Sequence, residues 1–216
     1  MSYVNYFKQQ FGHNFLIVDR NYLKSFFAQH RFLKKHISIE PRHSIIEIGS
    51  GLGSFTKFLD IDQNYLGIEL DGDAVSFANK ENPNFKFIKS SVEQLPDDGL
   101  RYDYVLAFEV LEHVENPSAA ILKCFQLLKN GGKFVGTSPF PFKKNVLADP
   151  THLHVMHPLN WKTLFENQGF TVEKIVPMTY MPFIWRVKKE WNFRLPFYVR
   201  LPGFVSTCLI VAQKKC

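Results

Sequence analysis

Cysteine is scarce: Cys124, Cys208 and Cys216 are odd in number, lie far apart and form no CxxC pair. That excludes a disulfide framework and a zinc knuckle, and implies a reducing, cytoplasmic setting. No apolar run approaches the roughly 20 residues that a membrane-spanning helix requires. The opening stretch MSYVNYFKQQFGHNF lacks the charged-then-apolar layout of a secretory signal. Internal repeats and low-complexity tracts are missing too. Most of the chain also carries no excess charge. Residues 1–185 hold 19 Lys and Arg against 19 Asp and Glu, so the net +6 falls entirely in residues 186–216, where seven basic side chains meet one acid, Glu190. This distribution argues against a nucleic-acid footprint across the fold but permits a local contact with an anionic partner.

What is present suits one domain with a substantial core: 216 residues, 45% apolar, with phenylalanine unusually frequent at 22. The opening 40 residues read as a helical extension, in which RNYLKSFFAQHRFLKKH (20–36) sets Leu23, Phe26, Phe27 and Leu33 near one face. After Pro41 come short apolar runs bounded by Gly, Asn and Asp at 44–49, 65–70, 85–90, 102–108 and 133–138. Such runs suit strands of a parallel sheet covered on both faces. Helical segments alternate with them at 71–81 and 116–132, the latter with Pro117 near its start and a Gly pair past its end. A further helix at 158–169 precedes two closing strands, 170–176 and 203–213, which have no helix between them. The fold class is therefore α/β: a doubly wound, mainly parallel seven-stranded sheet with a C-terminal antiparallel hairpin. Residues 177–202, rich in Pro, Trp, Phe and basic side chains, read as an inserted lid.

The sharpest motif is EIGSGLGSF (47–55): a strand, then Gly49, Gly51 and Gly53, then a helix start. Glycines here permit a tight bend and close approach of a ligand to the backbone. The spacing is GxGxG, without the lysine of a P-loop. Glu69 lies 20 residues past Gly49 at the end of the next strand, where a carboxylate can accept both hydroxyls of a ribose.

EIGSGLG, GIELD, SSVEQLP, FEVLEHV and LLKNGGKFVGTSP, in this order, resemble the class I S-adenosylmethionine-dependent methyltransferases over roughly residues 40–180. The resemblance implies a Rossmann-like sheet and S-adenosylmethionine as cofactor. It implies that Glu47 and the turn Gly49, Ser50, Gly51 and Gly53 line the methionine part, that Glu69 binds the ribose and that Leu70 packs on the adenine. Ser91 and Val92 match positions that touch the adenine edge; many relatives carry Asp at the site of Ser91, so this contact is weaker here or made through backbone. Phe108 and Glu109 would face the sulfonium. A cationic sulfur with its own leaving group leaves the protein the task of aligning acceptor, methyl and sulfur, and it favours carboxylates and aromatic faces.

Two clusters bear on the acceptor side. Glu109, Glu112 and His113 stand at i, i+3 and i+4 and would share a face if the stretch is helical. Similar E-x-x-E-H text in the ubiquinone-pathway O-methyltransferases and the small-RNA 2′-O-methyltransferases holds a divalent metal, the RNA group adding a downstream histidine. Many metal-free class I enzymes share similar text, and the default reading here places no metal, with His113 as a local hydrogen-bond anchor. The second cluster is DPTHLHVMHP (149–158). His157 precedes Pro158 and reads as a helix cap. His152 and His154, two apart in an extended stretch, would point the same way. The segment resembles one in methyltransferases found among bacterial glycan-modifying genes, and there the matching residue is His152. A neutral imidazole suits a general base toward a hydroxyl; the bland alternative is that His152 merely holds the loop.

The expected function is methyl transfer to a hydroxyl of a glycan or small-molecule acceptor, with His152 as base. The alternatives are metal-assisted methylation of RNA or a phenolic or quinone precursor through Glu109, Glu112, His113 and His152, and a non-catalytic cofactor-binding protein. The lid residues Trp185, Arg186, Lys188, Lys189, Trp191, Arg194 and Arg200 suggest contact with a membrane or an anionic lipid-linked substrate.

Overall fold

Four consecutive buried residues, Ile45–Ile48, form strand β1. Both of its faces are covered, which is why Glu47 is the single polar side chain within it. The computed structural model describes residues 34, 37–142, 144–180, 194–195, 197–199 and 205–215. Around β1 run β2 (Tyr65–Glu69), β3 (Lys86–Lys89), β4 (Tyr102–Phe108), β5 (Leu128–Pro139), β6 (Phe170–Tyr180), β7 (Arg194–Leu195) and β8 (Val205–Lys214). The strand order is β3-β2-β1-β4-β5-β8-β6-β7. The first five strands pair in parallel, whereas β8 runs antiparallel to both β5 and β6. Seven of these are the expected strands. The eighth, β7, has two residues and pairs with the end of β6 at Thr179 and Tyr180, within the segment read as a lid.

Helices cover both faces. Alternate strand residues Ile46, Ile48, Val105, Ala107 and Phe134 pack against Ala120, Ile121 and Cys124 of α2 (Pro117–Leu127) and Trp161 and Phe165 of α4 (Pro158–Asn167). The opposite parity, Ile45, Tyr65, Leu106, Phe108 and Val135, packs with Ile37, Phe55 and Ala78 of α1 (Gly72–Glu81). Between α2 and α4 lies a short α3 (Lys144–Leu147). Each longer helix starts on a side-chain cap: Asp71 accepts from Asp73 N and Ala74 N, Asn116 from Ala119 N, and His157 from Leu159 N.

Several element boundaries differ from expectation: β5 starts at Leu128 instead of 133, β6 runs on to Tyr180, and the helix start after Gly53 is a short 3-10 segment, Ser54–Phe58. Helix α2 ends at Leu127, well short of the glycine pair, because Leu128 is buried as the first residue of β5. The Lys214 ammonium donates to Phe125 O and Leu128 O at 3.0 and 2.9 Å and so satisfies the last carbonyls. Residues 37–40, the end of the predicted helical extension, are irregular. Pro41 disfavours helix at Glu40, and Ile37 is drawn into the core. The rest of that extension, except Lys34, lies outside the described residues, as do Trp185, Arg186, Lys188, Lys189, Trp191 and Arg200 of the lid. Among the described residues no helix is long and apolar enough to cross a membrane.

Strands β1 and β4 are neighbours although β2 and β3 intervene in sequence, so their outgoing loops diverge. Open α/β sheets receive ligands in the crevice outside the carboxyl ends of the strands at such a switch point.

Candidate active site

The turn leaving β1 is left-handed at Gly49, Gly51 and Gly53, with φ of 66°, 52° and 75°. Space is as restrictive as conformation: a Cβ on Gly49 would stand 2.5 Å from Val110 Cγ2, and one on Gly53 2.6 Å from the Phe87 ring. The turn is thus pressed against the loop that follows β4. Glu69 pins it from the other side. Its Oε2 accepts from Gly51 N at 3.0 Å, while Oε1 accepts from Leu70 N at 2.7 Å and Asp71 N at 3.2 Å. A carboxylate offers about four acceptor positions, so Glu69 keeps one on Oε2 for a ribose hydroxyl in this arrangement.

Leu70, just past β2, stands 66% exposed, an apolar surface available to a flat base. Val92 is 3% exposed and its side chain belongs to the core. Ser91 Oγ accepts from Gln94 N at 3.2 Å, which shapes the turn after β3. Phe108 is buried and tilts against Phe55, 5.7 Å between centroids. Ser50 is buried and its hydroxyl has no partner. Glu47 is buried and accepts a hydrogen bond from the Tyr65 hydroxyl. Burial raises the Glu47 carboxyl to about 8; the Tyr65 bond restrains the rise and the charge of Glu69 adds to it.

Residues 109–113 do not form a helix. Glu109 has φ 55°, a left-handed conformation uncommon for a residue with a side chain, and the chain then turns, with His113 N donating to Val110 O at 2.9 Å. The three side chains therefore do not share a helical face. Glu112 and His113 instead converge with His152, their ligand atoms all lying within 4.8 Å of one another, and Glu109 is not part of that trio. Glu109 retains some exposed surface, but its Oε1 is buried and unpartnered. Desolvation lifts its carboxyl to about 7, partly offset by the Thr137 hydroxyl. Glu112 is wholly buried with neither oxygen hydrogen-bonded. Burial, and then the charge of Glu109, push its carboxyl well above the usual range. The hydroxyls of Thr137 and Ser138 on β5 are buried close enough to Glu109 and Glu112 to moderate their carboxyls, but among the described residues neither makes a well-formed hydrogen bond.

The histidine-rich loop is bolted to this turn. Leu153 N and His154 N both donate to Glu112 O, at 2.8 and 3.0 Å. The segment is not extended throughout: Asp149 Oδ1 accepts from Thr151 N and Oγ1, and His152 N donates to Asp149 O, making a turn. His152 and His154 consequently reach different partners. His152 Nδ1 bonds Val146 O at 2.8 Å, while His154 Nε2 bonds Glu115 O at 3.1 Å. His113 Nδ1 bonds Thr151 O at 2.9 Å, and its ring lies 4.8 Å from that of His152. His157 caps α4 through Nδ1.

A carbonyl oxygen only accepts, so both Nδ1 atoms of the His113–His152 pair carry the proton in the neutral rings. Both Nε2 atoms then present lone pairs. Burial lowers the His113 pKa, which keeps that ring neutral. Sequence reasoning missed Tyr65, Thr137 and Ser138; strand parity was the available signal for Tyr65, which faces the same side as Glu47.

Residues 20–175 match the family model described as a methyltransferase domain. A probable S-adenosylmethionine-dependent methyltransferase of Mycolicibacterium smegmatis is 23% identical over 163 residues, 73% of this chain and 62% of that protein. A ubiquinone biosynthesis O-methyltransferase of Coxiella burnetii is 24% identical over 177 residues, 70% of this chain and 73% of that protein. In fold, an S-adenosylmethionine-dependent methyltransferase of Thermotoga maritima, described as a possible histamine N-methyltransferase, superposes with a TM-score of 0.66 at 19% identity, covering 99% of this chain and 96% of that one. One from Mesorhizobium loti gives 0.64 at 15% identity, covering 86% and 97%. The chain belongs to the methyltransferase-domain family and shares the fold of these solved methyltransferases.

Proposed function

We propose that the chain transfers the methyl group of S-adenosylmethionine to a hydroxyl oxygen, with His152 as the base. The supporting observation is the His152 Nδ1 to Val146 O bond, which fixes the tautomer and leaves Nε2 as a bare lone pair beside the Glu112–His113 turn. Bound S-adenosylmethionine would supply the methyl group and, as S-adenosylhomocysteine, its own leaving group; His152 Nε2 would take the acceptor hydroxyl's proton as the C–O bond forms and the C–S bond breaks. Glu109, left-handed just after β4, would favour the sulfonium in the role that the family resemblance implies. The names of relatives in ubiquinone biosynthesis specify an oxygen acceptor, which supports oxygen over nitrogen. A glycan or other small-molecule hydroxyl fits the loop's resemblance, and the basic charge of residues 186–216 favours an anionic acceptor. The test is transfer of a ¹³C-labelled methyl group into fractionated cell extract, followed by NMR of the product. A methyl resonance in the methoxy range is expected; one in the N-methyl range would overturn the proposal.

One observation favours a second reading in which a divalent cation assists. Glu112 Oε1 lies 3.9 Å from His113 Nε2, whose lone pair is exposed to it because Nδ1 donates to Thr151 O. Metal-ligating histidines are commonly held by such Nδ1 bonds to carbonyls. Glu112, His113 and His152, a carboxylate and two imidazoles, are a fitting donor set for Mg²⁺, Mn²⁺ or Zn²⁺. A bound cation would act as a Lewis acid that acidifies and orients the hydroxyl. Titration calorimetry with MgCl2, MnCl2 and ZnCl2 tests it: saturable binding abolished in Glu112→Gln is expected, and no heat from any of the three excludes the cation.

A further inference from the structure

Glu47 is 4% exposed in the middle of a β-strand, beneath the glycine turn, and its hydrogen-bond partner is the Tyr65 hydroxyl. The pairing follows from sheet register. Ile45 stands opposite Tyr65 and Glu47 opposite Gly67, so the long phenol runs two residues along the sheet to meet the carboxylate. Gly67 makes this arrangement feasible: a Cβ there would meet Phe87 at 2.4 Å and Ser50 Oγ at 2.8 Å, closing the space above the pair. Tyr65 is itself fixed by edge-on contacts with Phe85 and Phe87, each at 5.6 Å between centroids.

A neutral phenol is a weak counterpart for a buried carboxylate. Among the described residues no cationic side chain offsets the burial that raises the Glu47 carboxyl to about 8. The methionine end of the cofactor carries a cation, its α-ammonium group.

We propose that Tyr65 is a positioning residue for the cofactor's amino-acid end: its hydroxyl holds one oxygen of Glu47, so that the other is aimed at the α-ammonium of S-adenosylmethionine. The proposal rests on Glu47 lining the methionine part, as the family resemblance implies. It assigns a role in recognition to a tyrosine one strand away from the glycine motif.

Calorimetry with two probes tests it: S-adenosylhomocysteine, which has the amino-acid end, and 5′-methylthioadenosine, which lacks it. Hydrogen bonds to charged groups contribute about 1.5–3 kcal/mol, so Tyr65→Phe should weaken S-adenosylhomocysteine by about tenfold or more. Binding of 5′-methylthioadenosine should stay within about twofold. Glu47→Gln should do the same, and in the double variant the two losses should not add, since both remove one interaction. Equal weakening of both probes in Tyr65→Phe means that the tyrosine only supports the fold and overturns the proposal. If Tyr65→Phe is silent while Glu47→Gln weakens S-adenosylhomocysteine alone, the Tyr65 role fails and the placement of Glu47 stands. If neither variant discriminates between the probes, that placement fails with it.

Discussion

Replacing Gly49 by alanine separates the two constraints that shape the cofactor turn. At φ 66° an L-residue is strained by about 1–2 kcal/mol. The new methyl would also lie 2.5 Å from Val110 Cγ2, far inside ordinary van der Waals contact. Relieving such a clash costs about 1–3 kcal/mol, while the stiffer unfolded chain returns about 0.4–1 kcal/mol. The net loss should be about 2–3 kcal/mol. With a urea m-value of about 1–3 kcal/mol/M this moves the unfolding midpoint by roughly 1 M. Val110→Ala makes the clash testable. In a double-mutant cycle the steric part should appear as a favourable coupling of about 1–2 kcal/mol, while the backbone strain persists in the double variant. Affinity for S-adenosylmethionine should fall in Gly49→Ala and recover partly in the double variant, because the turn and the loop after β4 move together. A loss below about 0.5 kcal/mol, or no coupling, would show that the turn is not pressed against Val110 and would refute the reasoning.

Asn116→Ala removes the oxygen that accepts from Ala119 N at 3.0 Å and should destabilise the fold by about 1 kcal/mol; thermal unfolding checks it, and an unchanged midpoint would contradict the cap. Stability of the ligand-free protein should fall as pH rises from about 5 to 8. Glu47 and Glu109 have native-state values raised to about 8 and about 7 from 4.5, so across that window the native state binds more protons than the unfolded chain. Urea unfolding across the pH series measures the slope, and Glu47→Gln should flatten its upper part. Trp161→Phe removes an indole N–H that is buried without a partner, so its cost should stay below the ~3–5 kcal/mol of deleting a core aromatic outright; a larger loss in urea unfolding would mean that the N–H is satisfied in solution.

Features written in local sequence were the legible ones. The glycine turn and the His157 cap each involve residues a few positions apart, and the structure places them as the pattern implies. Alternating strands and helices were enough for a doubly wound sheet, because burial on both faces of β1 and β4 leaves runs that are apolar but for Glu47 and Asp103. Long-range encounters were not legible. That Lys214 caps α2, that Tyr65 meets Glu47 and that His152 meets Glu112 and His113 depends on which strands become neighbours. The E-x-x-E-H spacing invites a helix, but the left-handed Glu109 sends its side chain elsewhere and leaves Glu112 and His113 to face the downstream loop. Likewise the DPTH segment looks extended until the Asp149 side chain closes it into a turn.

The decisive measurement is methyl transfer by His152→Ala alongside its affinity for S-adenosylmethionine. With tritiated cofactor and the acceptor fraction, turnover should fall by about 10²–10⁴-fold, the range for loss of a positioned base, while calorimetry shows cofactor binding unchanged. Turnover that survives the substitution, with the cofactor still bound, would contradict the assignment of the acceptor proton to His152.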